Sequence, residues 1–487
     1  MNDTRRNVTY SHILKYTGLF GGVQVITILV GIVRNKIVAL LLGPSGMGLL
    51  SLFNSTTKML SEASNLGIPT GAVPELSLPY DNNDQKEFLH RVTMVRSWSL
   101  ICAIVGMIIC VAMAPWLEEW NFGWGRHTWH YVFLSPVIAL TAITGGEMAI
   151  LKSTRQLGAM ARVSVVNVLL ALLVSVPLYF FMGERGIVPS LVLMALVLLL
   201  LTIRYSWRLV PLRLSFNKKC LGQGTAMIKL GIGVVIAGLL GNCAEFIVRS
   251  FISHHGSLDE VGLYNAAFMI TVTYGGMVFA AMETDYFPRL SGISESGAAM
   301  NQTVNQQMEV STLVVSPLLV ALIVFAPILI PLMYSGKFMA VIGMVQVMVL
   351  GLYFRALTLP LSYIPLSRSH SLFYIFVEGF YAVALVVCTI IGHNLYGLYG
   401  VGMAITIVSV VEFLFLIVCM RWRYGYRLGK MVMTYMAIHL PVGLAAFAIT
   451  LQDNCWLSYG IGLLLIIAST AFSLLILKKK TKSPKQS

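Results

Sequence analysis

Apolar runs of about 20 residues recur from one end of this chain to the other. A helix of that length rises about 30 Å, the thickness of the hydrocarbon core of a bilayer. Inside that core each backbone group has to be satisfied within the structure itself, so consecutive runs of this kind read as membrane-spanning helices. Between polar or Gly/Pro breaks the runs lie near 16–42, 48–73, 97–115, 129–151, 161–182, 187–203, 227–252, 262–284, 311–333, 341–364, 371–391, 398–420, 431–451 and 456–477. The expected fold class is all-α and polytopic, with about fourteen transmembrane helices. Composition excludes a soluble alternative: 11% of residues are charged and mean hydropathy is +0.80, where a soluble domain carries about 25% charged residues.

Charge placement gives the orientation. With the N-terminus inside, 25 of the 34 Lys and Arg residues fall in inner segments and three, Arg126, Arg185 and Lys337, in outer ones. This asymmetry follows the positive-inside rule only for an even span count, so both termini are expected in the cytoplasm. The net charge of +14 needs no nucleic-acid partner, because short basic inner loops face anionic lipid headgroups and no aromatic-interleaved basic groove appears. The basic start (Arg5, Arg6, Lys15) leads into about 26 apolar residues, too long for the core of a cleavable signal and lacking an A-x-A site. That stretch reads as the first span. The seven cysteines lie mostly in apolar runs without metal-ligand spacing, which makes them packing residues and leaves no cofactor or metal to expect.

An internal repeat relates the first span to the seventh. Val33-Arg34 matches Val248-Arg249, Gly48-Leu49 matches Gly262-Leu263, and Pro74-Glu-Leu-Ser77 matches Pro288-Arg-Leu-Ser291. Since seven is odd, the halves share one orientation, as in parallel transporter repeats. The expected organisation is two pseudo-symmetric six-helix lobes, 1–215 and 216–425, with two appended helices and a basic cytoplasmic tail over 426–487.

The segment Arg34-Asn-Lys36-Ile-Val-Ala-Leu-Leu-Leu-Gly43-Pro44-Ser-Gly46-Met-Gly48-Leu, with Phe53-Asn54 and Asn65-Leu-Gly67-Ile after it, resembles the start of bacterial O-antigen translocases. These polysaccharide flippases belong to the multidrug/oligosaccharidyl-lipid/polysaccharide exporter superfamily. The specific likeness covers about the first 75 residues. Taken alone, Gly43-Pro44 is a helix break, and the turn lacks the Lys-Ser/Thr of a P-loop. The resemblance implies a V-shaped cavity between lobes, alternating access, an inner-membrane location and outward movement of an undecaprenyl-pyrophosphate-linked oligosaccharide. Other polysaccharide assembly proteins are then candidate partners, beside the membrane lipids.

Six basic residues fall at membrane depth: Arg34, Lys36, Lys58, Lys229, Arg249 and Arg355. Ionisable groups there are costly and usually face a bundle interior or wet cavity. Lys58 and Glu62, like Glu245 and Arg249, stand one turn apart and can neutralise each other. Arg34 and Arg355 have no carboxylate three or four residues away. Guanidinium forks match phosphate oxygens, so Arg34, Arg249, Arg355 and Lys58 are the candidate substrate-binding residues. Snorkelling is the competing reading, since Arg34 and Arg249 lie roughly 27 and 30 Å along their helices from the inner ends. Glu412, mid-span and without a basic residue within four positions, and Glu378 are the candidate ion-coupling residues, for a proton or sodium; a hydrogen-bonded structural carboxyl is the alternative. No catalytic residues are assigned. A multidrug extruder would concentrate acids in its cavity, and a membrane polymerase or glycosyltransferase would need a sizeable outer loop, whereas the longest expected here is about 13 residues.

Overall fold

The structure, a computed structural model, describes residues 2–123, 127–293, 297–452 and 455–482. Of the residues that set the expected orientation, Arg126 and Lys485 lie outside the described residues, as do the side chains of Arg5, Arg6, Lys15, Lys218, Lys219 and Lys482. The chain is helical throughout its long elements. α1 covers Asn2–Ser64, α2 Ile68–Asp81, α3 Gln85–Phe122, α4 Thr128–Ser153, α5 Leu157–Met182, α6 Ile187–Leu209 and α7 Lys218–His255. α8 (Leu258–Phe268) passes through a π-turn at Met269–Tyr274 into α9 (Gly275–Ser291). Then come α10 (Ala298–Met333), α11 (Ile342–Ser367), α12 (Ser371–Tyr424), α13 (Lys430–Thr450) and α14 (Cys455–Lys482).

Among the described residues, 11 stretches are long and apolar enough to cross a membrane. Two of them, Leu157–Leu209 and Ser371–Tyr424, hold 53 and 54 residues. At 1.5 Å per residue each is about 80 Å long, more than twice the hydrocarbon thickness. Both turn at a glycine corner, and Ile26–Ser64 is broken at Gly43. Counting those three as pairs brings the total to the fourteen spans read from the sequence.

The corners are built alike. Gly43 (φ 67°, ψ −171°), Gly183 (φ 57°, ψ −134°) and Gly397 (φ 58°, ψ −142°) occupy backbone space that is nearly closed to any residue with a Cβ. Pro44, just after the first corner, suits the opening turn of a new helix, where its missing N–H is not needed. Past the other two corners the returning helix lies against the outgoing backbone. A Cβ on Gly186 would stand 2.6 Å from the Leu178 carbonyl oxygen, and one on Gly400 would collide with the carbonyl of Gly392. Positions 178, 183 and 186 correspond to 392, 397 and 400 at a constant spacing of 214 residues, the same that relates Pro74 to Pro288.

The helices form two compact units, Met1–Val261 and Gly262–Ser487. In the first, α3 packs on α4, α4 on α6, and α7 on α1, α2 and α3. The seventh span, which opens the second half of the repeat in sequence, therefore makes its contacts with the first unit. Small residues permit those approaches: Gly67 and Gly231 leave no room for a Cβ on either helix, and Gly71 lies on the carbonyl of Met227. In the second unit, α11 packs on α10 and α12, while α13 and α14 pack on α10 and on each other.

One buried ion pair fixes the end of α6. Arg96 on α3 donates through Nε (2.8 Å) and NH2 (3.0 Å) to the two oxygens of Glu147 on α4, and through NH1 and NH2 to the carbonyls of Pro211 and Val210. Those carbonyls follow the last turn of α6, whose negative dipole end favours a cation. Trp207 Nε1 adds a donor to Glu147 at 3.2 Å. The fold buries both side chains and pairs them.

Candidate functional site

In the first unit, charged residues gather where the second arm of α1, residues 44–64, meets α7. Arg249 is buried and donates from Nε to Ser51 Oγ (2.9 Å) and from NH1 to Glu245 Oε2 (3.2 Å). The same oxygen stands 3.9 Å from Lys58 Nζ, whose side chain is 60% exposed against 25% for Glu245 and 6% for Arg249. The i,i+4 pairing expected within α7 is present. Lys58, however, reaches across to Glu245 as its ion-pair partner, and Glu62, its neighbour one turn on, lies against Gly238 of α7 and near Asn65. Arg34 is held elsewhere in the unit: Nε donates to Ser175 Oγ on α5 (3.3 Å) and NH2 to the Met194 sulfur on α6 (3.4 Å). Although Arg34 and Arg249 are equivalent in the repeat, they meet different partners, and those of Arg34 carry no charge.

The second unit collects carboxylates. Arg355 on α11 faces Glu412 on α12 at 3.5 Å, and its guanidinium lies 5.9 Å from the Tyr381 ring centre. Glu378, one turn from Tyr381 and hydrogen-bonded to Tyr374, adds to the field at Arg355. Glu283 on α9 accepts a 2.6 Å bond from Tyr363 Oη. Arg355, Glu283, Tyr381, Thr271, Phe279 and Ser409 line one cavity of about 160 Å³. Thr271 belongs to the π-turn, a local unwinding often found at functional sites. Glu412 is 6% exposed, and its Oε2 and the Thr358 hydroxyl are both buried without a hydrogen-bond partner among the described residues.

The first unit thus sets Lys58 and Arg249 against Glu245 and Glu62 and places Arg34 against neutral partners, and the second sets three acids round one guanidinium. Among the described residues no group of His, Cys, Asp and Glu is arranged to hold a metal ion.

A family model described as polysaccharide biosynthesis protein matches residues 37–343, more than half of the chain. The chain belongs to that family. Over 277 residues the chain is 24% identical to the lipid III flippases of Escherichia coli (strain K12) and Shigella flexneri. The match takes in 54% of this chain and 64% of each relative, a little under two thirds of their length. Its fold is that of the lipid II flippase MurJ in an inward closed conformation, with a TM-score of 0.75 at 14% identity over 95% of this chain and 99% of that one. It also shares the fold of an inward-facing multidrug resistance MATE family transporter of the MOP superfamily, with a TM-score of 0.67 at 16% identity over 82% and 94%. These likenesses bear out the resemblance read from the first 75 residues.

Within this family member, the fold brings Lys58 and Arg249 to one carboxylate and gathers Arg355, Glu412 and Glu378, while Arg34 reaches from α1 to Ser175 on α5 and Met194 on α6. Sequence reasoning missed Ser51, Tyr381 and Glu283 as neighbours of these groups. Glu283 was visible as an acid at the inner end of its span, but a serine or tyrosine inside an apolar run carries no signal of its own.

Proposed function

We propose that this protein is a flippase that carries a lipid-linked oligosaccharide from the inner to the outer leaflet of the bacterial inner membrane by alternating access, with both termini cytoplasmic. Its cargo is an undecaprenyl-pyrophosphate-linked O-antigen or related surface-glycan unit, handed over by other polysaccharide assembly proteins. The observation that carries this reading is the guanidinium and ammonium groups of the first unit, Arg34, Arg249 and Lys58, whose chemistry suits a phosphorylated headgroup. The lipid III and lipid II flippase relatives support it.

The second unit is the coupling half. Glu412 holds Arg355, so a proton or sodium ion on Glu412 or Glu378 weakens that hold and frees Arg355 to bind substrate. Coupling and binding then share one pair of side chains. The acid-rich cavity also favours a second reading, extrusion of a cationic compound; there, loss of the gene would sensitise cells to cationic drugs and leave surface polysaccharide intact.

The test is complementation of surface polysaccharide in a flippase-deficient strain, with protein abundance measured alongside. Arg34→Ala, Arg249→Ala and Arg355→Ala should each abolish polysaccharide at normal abundance, and the Lys variants should restore only part of it, since ammonium keeps charge but loses the fork. Glu412→Gln should remove the pH dependence of transport in reconstituted vesicles. Full activity of the three Ala variants would sink the cationic grip, and full rescue by Lys would return these residues to snorkelling at the headgroups.

A further inference from the structure

The charged seam between α1 and α7 holds one carboxylate oxygen that serves two cations. Glu245 Oε2 lies 3.2 Å from Arg249 NH1 and 3.9 Å from Lys58 Nζ. Arg249 is fixed from behind by Ser51 and by the backbone carbonyl of Glu245, 3.2 Å from NH1, so the guanidinium is oriented before any ligand arrives. Lys58, mostly exposed, is tied only loosely. Glu62 supplies a second carboxylate near Lys58. With two cations and two carboxylates, the seam is close to neutral as it stands.

We propose that Glu245 is an internal counter-ion that a phosphorylated ligand must displace, so that it sets the charge a substrate needs in order to be gripped by Lys58 and Arg249. This rests on the flippase reading above and adds to it a specificity-determining residue on α7. A group with two negative phosphoryls outcompetes one carboxylate for both cations at once, because it brings more charge and more acceptor oxygens to them. A monophosphate brings less charge and fewer oxygens against the same carboxylate, and displaces it less completely. An uncharged or carboxylated glycan does not pass this comparison. Discrimination thus comes from an interaction built against the wrong ligand as well as from contacts with the right one.

The full chain in phosphatidylcholine nanodiscs is titrated with geranyl pyrophosphate and with geranyl monophosphate, with melting temperature recorded for each variant. Glu245→Gln should bind the pyrophosphate about tenfold more tightly than the unaltered chain, from removal of one opposing charge at about 4 Å, and its preference for pyrophosphate over monophosphate should shrink. Glu245→Asp, which keeps the charge on a shorter arm, should fall between the two. Ser51→Ala should move affinity the other way by releasing Arg249. A purely structural Glu245 gives a different pattern: a lower melting temperature with equal or weaker binding in Glu245→Gln, and that result overturns the proposal. Repeating the titration in phosphatidylglycerol nanodiscs separates the sources of phosphate, since loss of the Glu245→Gln gain there means lipid headgroups fill the place and the counter-ion role is wrong. If neither the unaltered chain nor Glu245→Gln binds either probe, the anionic-substrate reading itself falls; if the unaltered chain binds pyrophosphate and Glu245→Gln binds no better, only the counter-ion does.

Discussion

A guanidinium inside a helical bundle is tolerable only when its donors are satisfied, and Arg96 shows how the chain achieves that. Two of its bonds go to Glu147 and two to the carbonyls that end α6. Removing one partner of such a pair leaves an uncompensated charge, at a cost of roughly 3–5 kcal/mol. Glu147→Ala should therefore lower the melting temperature of the detergent-purified protein sharply and reduce its abundance in the membrane, with Glu147→Gln intermediate; a melting curve unchanged in Glu147→Ala would refute the pairing. Pairs of this kind mark where the sequence stops being legible. Glu245 and Arg249 are one turn apart on a single helix, so helical geometry alone joins them. Arg96 and Glu147 lie 51 positions apart, and Arg355 and Glu412 57. Their meeting depends on which faces of separate helices come together, and apolar runs with weak amphipathic patterning do not record that.

At the scale of elements, the spans were readable because a membrane demands long apolar helices, and the first break was readable because Gly43 and Pro44 both oppose helix continuation. The π-turn was not readable: Met269–Tyr274 is an ordinary apolar stretch with two threonines. The expected outer loop between the third and fourth spans is also shorter than read, since α3 continues to Phe122 and α4 begins at Thr128. Polar residues such as Glu118 are compatible with the outer turn of a helix, and here Glu118 accepts a bond from the His127 backbone N–H at the start of α4. The glycine corners give a sharp contrast. Gly397→Ala forces a Cβ into a glycine-only conformation at a cost of roughly 1–3 kcal/mol. Gly400→Ala collides with the Gly392 backbone, which has no flexible end to yield. Gly241, exposed on α7 with nothing within 4 Å of its place for a Cβ, should gain about 0.5–1 kcal/mol as Ala, as helix-interior glycines do. Melting temperatures of the three variants should fall, fall and rise; a Gly400→Ala protein as stable as the parent would contradict the close hairpin.

For the whole molecule, the span count and the charge asymmetry make one joint prediction. Reporter fusions after residues 82, 216 and 425 should report cytoplasm, and those after 121, 256 and 394 periplasm; a periplasmic signal after 425 would break the even count on which both termini depend. The non-helical stretches at 211–217 and 425–429 follow the ends of α6 and α12. The recurrence of the corners at 214 residues has a further consequence, which concerns the gene. Every base change at the first or second position of a glycine codon that still encodes an amino acid adds a Cβ. At Gly183 and Gly397, and where Gly186 and Gly400 meet a carbonyl, each such change therefore carries a structural cost. The two halves of the sequence match where the chain turns, while Arg34 and Arg249 meet different partners.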